Sequence, residues 1–236
     1  DFDGDGWLDI AVGESNGYVS LFRNLANSSL SFTISSALTT NAFTGGGVYG
    51  SLAIADFDGD GRPDIAAPNA QSPGGLSLFR NLSVSGTLNF SSGIAISVNS
   101  SGTWSLAAGD FNKDGKPDLA VLDYNNSSLG ILQNTSNIGN ISLTWIYNLS
   151  RASSNNGSIE QVVVGDIDND GRLDIICSNT NGNSVSVYRN ISTIGGSISF
   201  STGQAISVGT KPTSVGVGDI DGNGTVDLVV SNYTDN

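Results

Sequence analysis

Short segments in which apolar and polar residues alternate recur along the chain. Residues 76–81 read LSLFRN, and a similar order returns at residues 20–24, 185–190 and, more loosely, 129–134. Alternation over four to eight residues predicts a half-buried β-strand. A second kind of segment, rich in small and β-branched residues, occurs at residues 50–55, 105–108, 162–164 and 215–217. The β-branched residues among them favour strands.

The strand-like segments belong to a long internal repeat. The same acidic pattern opens at Asp1, Asp56, Asp110, Asp166 and Asp219, at spacings of 55, 54, 56 and 53 residues. A period of this length with several strands inside it is typical of a four-stranded propeller blade rather than a short solenoid coil. A β-sandwich would explain the strands but not the period. We therefore predict an all-β fold, a β-propeller of four-stranded blades.

The period divides the chain into about four full blades and part of a fifth, within one propeller segment, 1–236. The expected blades are 1–44 (lacking its first strand), 45–99, 100–156, 157–209 and the partial blade 210–236. Ring closure removes exposed strand edges, so we expect these blades to be part of a larger ring of, for example, about seven blades. Strands supplied by a neighbouring subunit are the alternative.

Each repeat contains a nine-residue acidic loop with oxygen-bearing side chains at positions 1, 3, 5 and 9 and glycine at position 6. We number these loops 1 to 5; they occupy residues 1–9, 56–64, 110–118, 166–174 and 219–227. The candidate side-chain ligands are Asp1, Asp3, Asp5 and Asp9; Asp56, Asp58, Asp60 and Asp64; Asp110, Asn112, Asp114 and Asp118; Asp166, Asp168, Asp170 and Asp174; and Asp219, Asp221, Asn223 and Asp227. The candidate backbone-carbonyl ligands at position 7 are Trp7, Arg62, Lys116, Arg172 and Thr225.

This pattern predicts about five calcium sites. Ca²⁺ takes roughly six to eight oxygen ligands, and the glycine at position 6 permits the sharp turn that brings the side chains together. The Asp at position 9 is expected to close the shell in bidentate fashion. Simple turns would not require three or four carboxylates in every loop, because their mutual repulsion costs free energy without a cation. Loops 3 and 5 are expected to be the weakest sites, since Asn112 and Asn223 each replace a carboxylate.

An EF-hand is excluded by the residues that follow the loops. That motif requires Glu at position 12 and a helix on each side. Position 12 here lies within strand-like segments. Its occupants are Val12, Ala67, Val121, Cys177 and Val230.

The formal net charge of −13 is explained by the location of the acidic residues. Of the 22 acidic residues, 18 lie within the five loops, so bound divalent ions would neutralise most of the charge. There is no basic stripe for nucleic acid and no apolar run long enough to insert into a membrane. The chain contains no histidine, the commonest general base, and its single cysteine, Cys177, is expected to be buried rather than nucleophilic.

The acidic loops and their flanking strands resemble the FG-GAP and FG-GAP-like (VCBS) repeats. Those repeats build the β-propeller of integrin α-subunits and of many secreted microbial proteins. The resemblance covers essentially the whole chain in five copies. It implies a propeller with a calcium ion between the first two strands of each blade, at the rim. It says little about function, because such propellers serve in adhesion, carbohydrate binding and matrix scaffolding, or accompany catalytic domains.

Sequons for N-glycosylation occur at 13 asparagines. Three of them, Asn81, Asn134 and Asn190, lie at the equivalent end of the third strand, which predicts an exposed rim bearing glycans. The alternative is that asparagine is simply favoured in turns.

These observations favour a non-enzymatic, extracellular, calcium-stabilised module with a structural or adhesive role. Its expected partners are other proteins or glycans at the cell surface or matrix, or further copies of itself in a fibrillar assembly. A lectin-like carbohydrate-binding module is one alternative, although Trp7, Trp104 and Trp145 do not occupy equivalent positions in the repeat. An accessory propeller of a secreted enzyme is the other.

Overall fold

The structure is a computed structural model that describes residues 1–25, 30–40, 48, 50–70, 74–98, 102–126, 128–149 and 159–234. Within these ranges the chain forms five antiparallel β-sheets and one short 3₁₀ turn, Thr180–Gly182, with no α-helix. None of the described residues belongs to a helix long and apolar enough to cross a membrane. The predicted all-β fold with propeller-like blades is confirmed.

Each sheet is a meander in which consecutive strands pair with one another, and we call the sheets blades 1 to 5. Blade 1 contains β1 (Ile10–Gly13), β2 (Tyr18–Asn24) and β3 (Phe32–Thr39). Blade 2 contains β4 (Ala53–Ala55), β5 (Asp64–Asn69), β6 (Gly75–Phe79) and β7 (Ile94–Ser97). Blade 3 contains β8 (Thr103–Gly109), β9 (Asp118–Asp123), β10 (Ser128–Asn134) and β11 (Leu143–Leu149). Blade 4 contains β12 (Ile159–Gly165), β13 (Asp174–Asn179), β14 (Ser184–Tyr188) and β15 (Gln204–Ser207), and blade 5 contains β16 (Pro212–Gly218) and β17 (Asp227–Asn232).

The hydrophobic core lies between successive blades. One cluster joins blades 2 and 3 through residues such as Leu78 and Leu119, and another joins blades 3 and 4 through residues such as Leu122 and Ile175. The residue at position 2 of loops 1 to 4 contributes to the cores between blades. Phe111, for example, packs edge-to-face on Phe200 of the next blade, with 5.3 Å between ring centroids. These four acidic loops are therefore attached directly to the apolar contacts between blades.

The third strands of the central blades are more buried than alternation alone predicts. All five residues of β6 are buried, including Ser77. The equivalent strand of blade 1 is β2, because that blade begins with its second strand, and β2 keeps an alternating pattern. The difference arises because blade 2 is covered on both faces by its neighbours, so inward and outward side chains are both removed from solvent.

The first strands of adjacent blades lie beside one another. Ser51 Oγ lies 2.6 Å from Ser105 Oγ, and Val162 N donates to Ser105 Oγ at 3.2 Å. Val215 N in turn donates to Gln161 Oε1 at 2.9 Å. Polar contacts thus link the first-strand regions of blades 2 to 5 in sequence order.

Candidate metal centres

The five acidic loops share one backbone conformation. Loops 2 to 5 each connect the first strand of a blade to the second, and loop 1 leads into β1. The glycine at position 6 has a positive φ in every loop, between 81° and 91°. Position 4 also has a positive φ, including at Lys113 (56°) and Asn169 (59°) in loops 3 and 4. Sequence reasoning missed this second turn, because two of the loops do not have glycine there.

Backbone N–H groups hold the carboxylates inside each loop. In loop 2, Asp56 accepts from Asp60 N (Oδ1, 3.0 Å) and from Gly61 N (Oδ2, 2.7 Å). Asp58 Oδ1 also accepts from Asp60 N, at 3.1 Å. The same three bonds occur in the other four loops. The chain therefore wraps around the side chains at positions 1 and 3.

The position-7 residues complete this wrapping. Each donates its backbone N–H to the side chain at position 5, at distances from 2.7 to 3.0 Å; they are Trp7, Arg62, Lys116, Arg172 and Thr225. Their carbonyl groups as metal ligands remain a prediction.

The aspartate at position 9 joins the start of its loop to the end of the third strand. Asp64 is fully buried; its Oδ2 accepts from Phe57 N at 2.9 Å and its Oδ1 from Asn81 N at 2.8 Å. Asp9, Asp118 and Asp174 make the equivalent pair of bonds. Through these two hydrogen bonds, the carboxylate holds the start of the loop to the end of the third strand without the help of an ion. A bidentate contact from it to an ion remains a prediction.

In four of the five loops, three carboxylates come close enough to share one ion. In each group, one oxygen from each residue lies within 4.8 Å of the others. The groups are Asp1, Asp3 and Asp5; Asp56, Asp58 and Asp64; Asp166, Asp168 and Asp174; and Asp219, Asp221 and Asp227. Asp9, Asp60 and Asp170 lie in the same loops but outside these groups, and loop 3 forms no such group among the described residues.

Arginines at the end of the third strand reach back to the loops. Arg23 Nε donates to Asp3 Oδ2 at 2.6 Å, and its Nη2 donates to Asp5 Oδ2 at 2.7 Å. Arg80 and Arg189 point at positions 3 and 5 of their own loops in the same way. The sequence shows the repeated arginine but does not indicate its partners, because the loop and the strand end are about 20 residues apart.

Hydrogen bonding and burial shift the pKa values of several loop carboxyls. Burial acts to raise the pKa of Asp3, but bonds from Arg23 and from the amides of Asp5 and Gly86 outweigh it and lower that pKa. Burial raises the pKa of Asp64 to about 6 and that of Asp118 to about 7, although each accepts two backbone hydrogen bonds.

The expectation of an exposed, glycan-bearing rim at Asn81, Asn134 and Asn190 is wrong. These side chains are buried, with at most 1% of their surface exposed. Each side-chain amide, the group that would carry a glycan, donates to two backbone carbonyls. For Asn81 these are Phe2 O of blade 1 at 2.8 Å and Pro63 O of its own loop at 2.9 Å.

The local hairpin explains why a sequon occurs there. The Asn side-chain oxygen accepts from the backbone N–H two residues later, as in the bond from Ser83 N to Asn81 Oδ1 at 2.8 Å. The serine hydroxyl then bonds across the hairpin to Asn89. The Asn-x-Ser order is thus a turn motif that also joins two blades.

The donor set fits a hard divalent cation. Loop 1 has four carboxylates, of which two pair with Arg23, and among the described residues the three carboxylates of loop 5 form no ion pair. Clustered carboxylate oxygens with an excess of negative charge are the ligands that Ca²⁺ prefers. The three-carboxylate groups in loops 1, 2, 4 and 5 would hold such an ion.

Fold and loops together define a protein built from propeller-like blades, and an acidic loop leads into a strand of each blade. The FG-GAP-like repeat model matches residues 1–67, 69–121, 110–177 and 166–230. The chain therefore belongs to the FG-GAP-like repeat family. A comparison with curated proteins found no match.

Proposed function

We propose that the chain is a calcium-stabilised extracellular β-propeller module with a structural or adhesive role. One observation carries this proposal: the carboxylate loops of blades 1 to 3 are hydrogen-bonded to the following blade. Asn81, Asn134 and Asn190 donate to the position-2 carbonyls of Phe2, Phe57 and Phe111 in the preceding blade. An ion that orders a loop therefore also orders a joint between blades.

The energetic reason is the repulsion within each loop. Three carboxylates within 4.8 Å of one another disfavour the folded loop unless a cation offsets their charge. At a free calcium concentration tenfold above the dissociation constant, each site contributes about 1.4 kcal/mol to stability. Extracellular calcium modules typically bind with dissociation constants of about 10⁻⁴–10⁻³ M, which only extracellular calcium would saturate. Sites of that affinity would function outside the cell, and we propose an extracellular location on that basis.

A structural role is favoured over a lectin role by the placement of two tryptophans. Trp104 and Trp145 pack against the cores between blades, and Trp104 also stacks on Tyr124 at 4.9 Å between ring centroids. Their faces are thus partly used by the fold itself. We propose no catalytic activity, because most carboxylates are committed to the loops. The proposed partners are surface or matrix proteins or glycans, including further copies of this chain.

A chelator melt tests this function. The thermal midpoint should rise on adding calcium to the metal-free chain and fall again with EDTA, while magnesium at the same concentration should give a smaller shift. A midpoint that does not respond to calcium would show that the loops are not structural calcium sites.

A further inference from the structure

In three blades, an arginine at the end of the third strand forms ion pairs with two carboxylates of the acidic loop of the same blade. We call Arg23, Arg80 and Arg189 the strand-end arginines. Each directs its guanidinium at the Oδ2 atoms of positions 3 and 5. The carboxylate pairs are Asp3 and Asp5, Asp58 and Asp60, and Asp168 and Asp170. The Oδ1 atoms of the same carboxylates accept backbone N–H groups within the loop.

Blade 3 lacks both halves of this charge pair. Position 3 of its loop is Asn112 instead of Asp, and the strand end is Gln133 instead of Arg. The Asn112 amide donates to Asp114 Oδ2 at 3.2 Å and to Gly196 O of blade 4 at 2.8 Å. A neutral amide thus takes the place of the carboxylate where no arginine is present to neutralise it.

The charge pair lies within the joint to the next blade. Asp3 Oδ2, which accepts from Arg23, also accepts from Gly86 N of blade 2 at 2.9 Å. Asp58 Oδ2 likewise accepts from Arg80 and, at 3.1 Å, from Gly139 N of blade 3. Both carboxylates are buried, at 5% and 2% exposure. In blades 1 and 2 the position-3 carboxylate therefore bonds to its own loop, its own third strand and the following blade at once, whereas Asp168 of blade 4 is exposed.

A buried carboxylate in such a cluster is disfavoured unless a cation beside it offsets its charge and the repulsion from its neighbours. The arginine supplies that charge from a fixed position on the strand, whether or not a metal is bound.

We infer that the strand-end arginines are built-in counter-cations that hold their loops, and in blades 1 and 2 also the joints to the following blade, in the folded geometry when calcium is absent. The part of this inference that concerns calcium rests on the proposed function. A blade that loses its arginine should depend more strongly on calcium for its joint. Replacing the carboxylate by asparagine at the same time should remove the need for the arginine, as in blade 3.

The test uses the full chain with Arg80→Gln, Asp58→Asn and the double variant that combines them. The double variant reproduces the pair found in blade 3. Arg62→Gln is the matched control, since Arg62 pairs with Asp60 of the same loop but not with Asp58. Thermal midpoints are measured in EDTA and in saturating calcium.

In EDTA, Arg80→Gln should lower the midpoint by about 5 °C, more than Arg62→Gln does. In calcium the loss should be less than half as large. The double variant in EDTA should recover at least half of the loss. An equal loss with and without calcium, or no recovery in the double variant, would overturn the inference. If Arg80→Gln does not fold, the double variant should still fold, and failure of both would also overturn it.

Failure of the proposed function is distinguishable from failure of this inference. If calcium does not shift the midpoint of the unmodified chain, the proposed function is wrong. Recovery by the double variant in EDTA would then still decide whether the arginine acts as the counter-cation.

Discussion

Replacing Asn134 by alanine tests whether the acidic loops are part of the joints between blades. Asn134 is 1% exposed and lies at the end of β10. Its amide donates to Phe57 O of blade 2 and to Pro117 O of its own loop, both at 2.9 Å, and its Oδ1 accepts from Ser136 N at 2.8 Å. Alanine removes all three bonds and leaves the two carbonyls and one N–H without this partner.

The expected loss follows from these three contacts. Each net hydrogen bond contributes about 1 kcal/mol, and a buried group left unpaired costs more. We therefore expect a decrease of about 3–4 kcal/mol in the free energy of unfolding. For a chain of this length that corresponds to a decrease of about 10 °C in the thermal midpoint.

The assay is urea unfolding followed by circular dichroism and tryptophan fluorescence, in calcium. Asn24→Ala is the matched control, because the Asn24 amide donates at 3.2 Å to Leu8 O within its own blade. The control should lose clearly less stability than Asn134→Ala. A loss below about 1 kcal/mol at Asn134, or equal losses at both sites, would refute the idea that this asparagine joins the blades.

Four further outcomes are expected. Gly130→Ala should lower the free energy of unfolding in urea by about 2–3 kcal/mol, because the added Cβ would lie 1.8 Å from Trp145 Cη2. Gly216→Ala is the control and should lower it far less, because its Cβ would meet open space. Equal losses would contradict the close packing of Trp145 on Gly130. Because burial raises the pKa of Asp64 and Asp118 to about 6 and about 7, above the value of 3.8 in the unfolded chain, the metal-free protein should lose stability as pH rises from about 4 to about 7. Calcium needs these carboxyls ionised, so calorimetry should show weaker binding and greater proton release at about pH 5.5 than at pH 8; a pH-independent affinity would count against this. Peptide mass analysis of secreted protein should find the three buried strand-end asparagines unmodified, and a glycan on any of them would contradict their burial.

The repeat and its acidic loops could be predicted from the sequence because their signals are local. Nine consecutive residues carry the oxygen ligands and the turn glycine, and the loop conformation depends mainly on bonds within those residues. The fold class followed from the spacing of these loops, because each blade is one meander of consecutive strands.

The contacts between blades could not be predicted in the same way. The bond from Asn81 to Phe2 O joins residues 79 positions apart, and the bond from Gly86 N to Asp3 Oδ2 joins residues 83 apart. Periodicity shows that such residues recur but not what they touch. For that reason the sequence predicts a surface glycan site where the structure has a buried asparagine, and it indicates no role for the neighbouring arginine.

The decisive experiment is a crystal structure grown in about 1 mM calcium, with ions located by anomalous scattering. We expect an anomalous peak within each of loops 1, 2, 4 and 5, from an ion bound by the three carboxylates that come together there. Loop 3, with its asparagine at position 3, should show the weakest density of the five. If the carboxylates converge but no loop contains an ion at this concentration, these loops are not calcium sites.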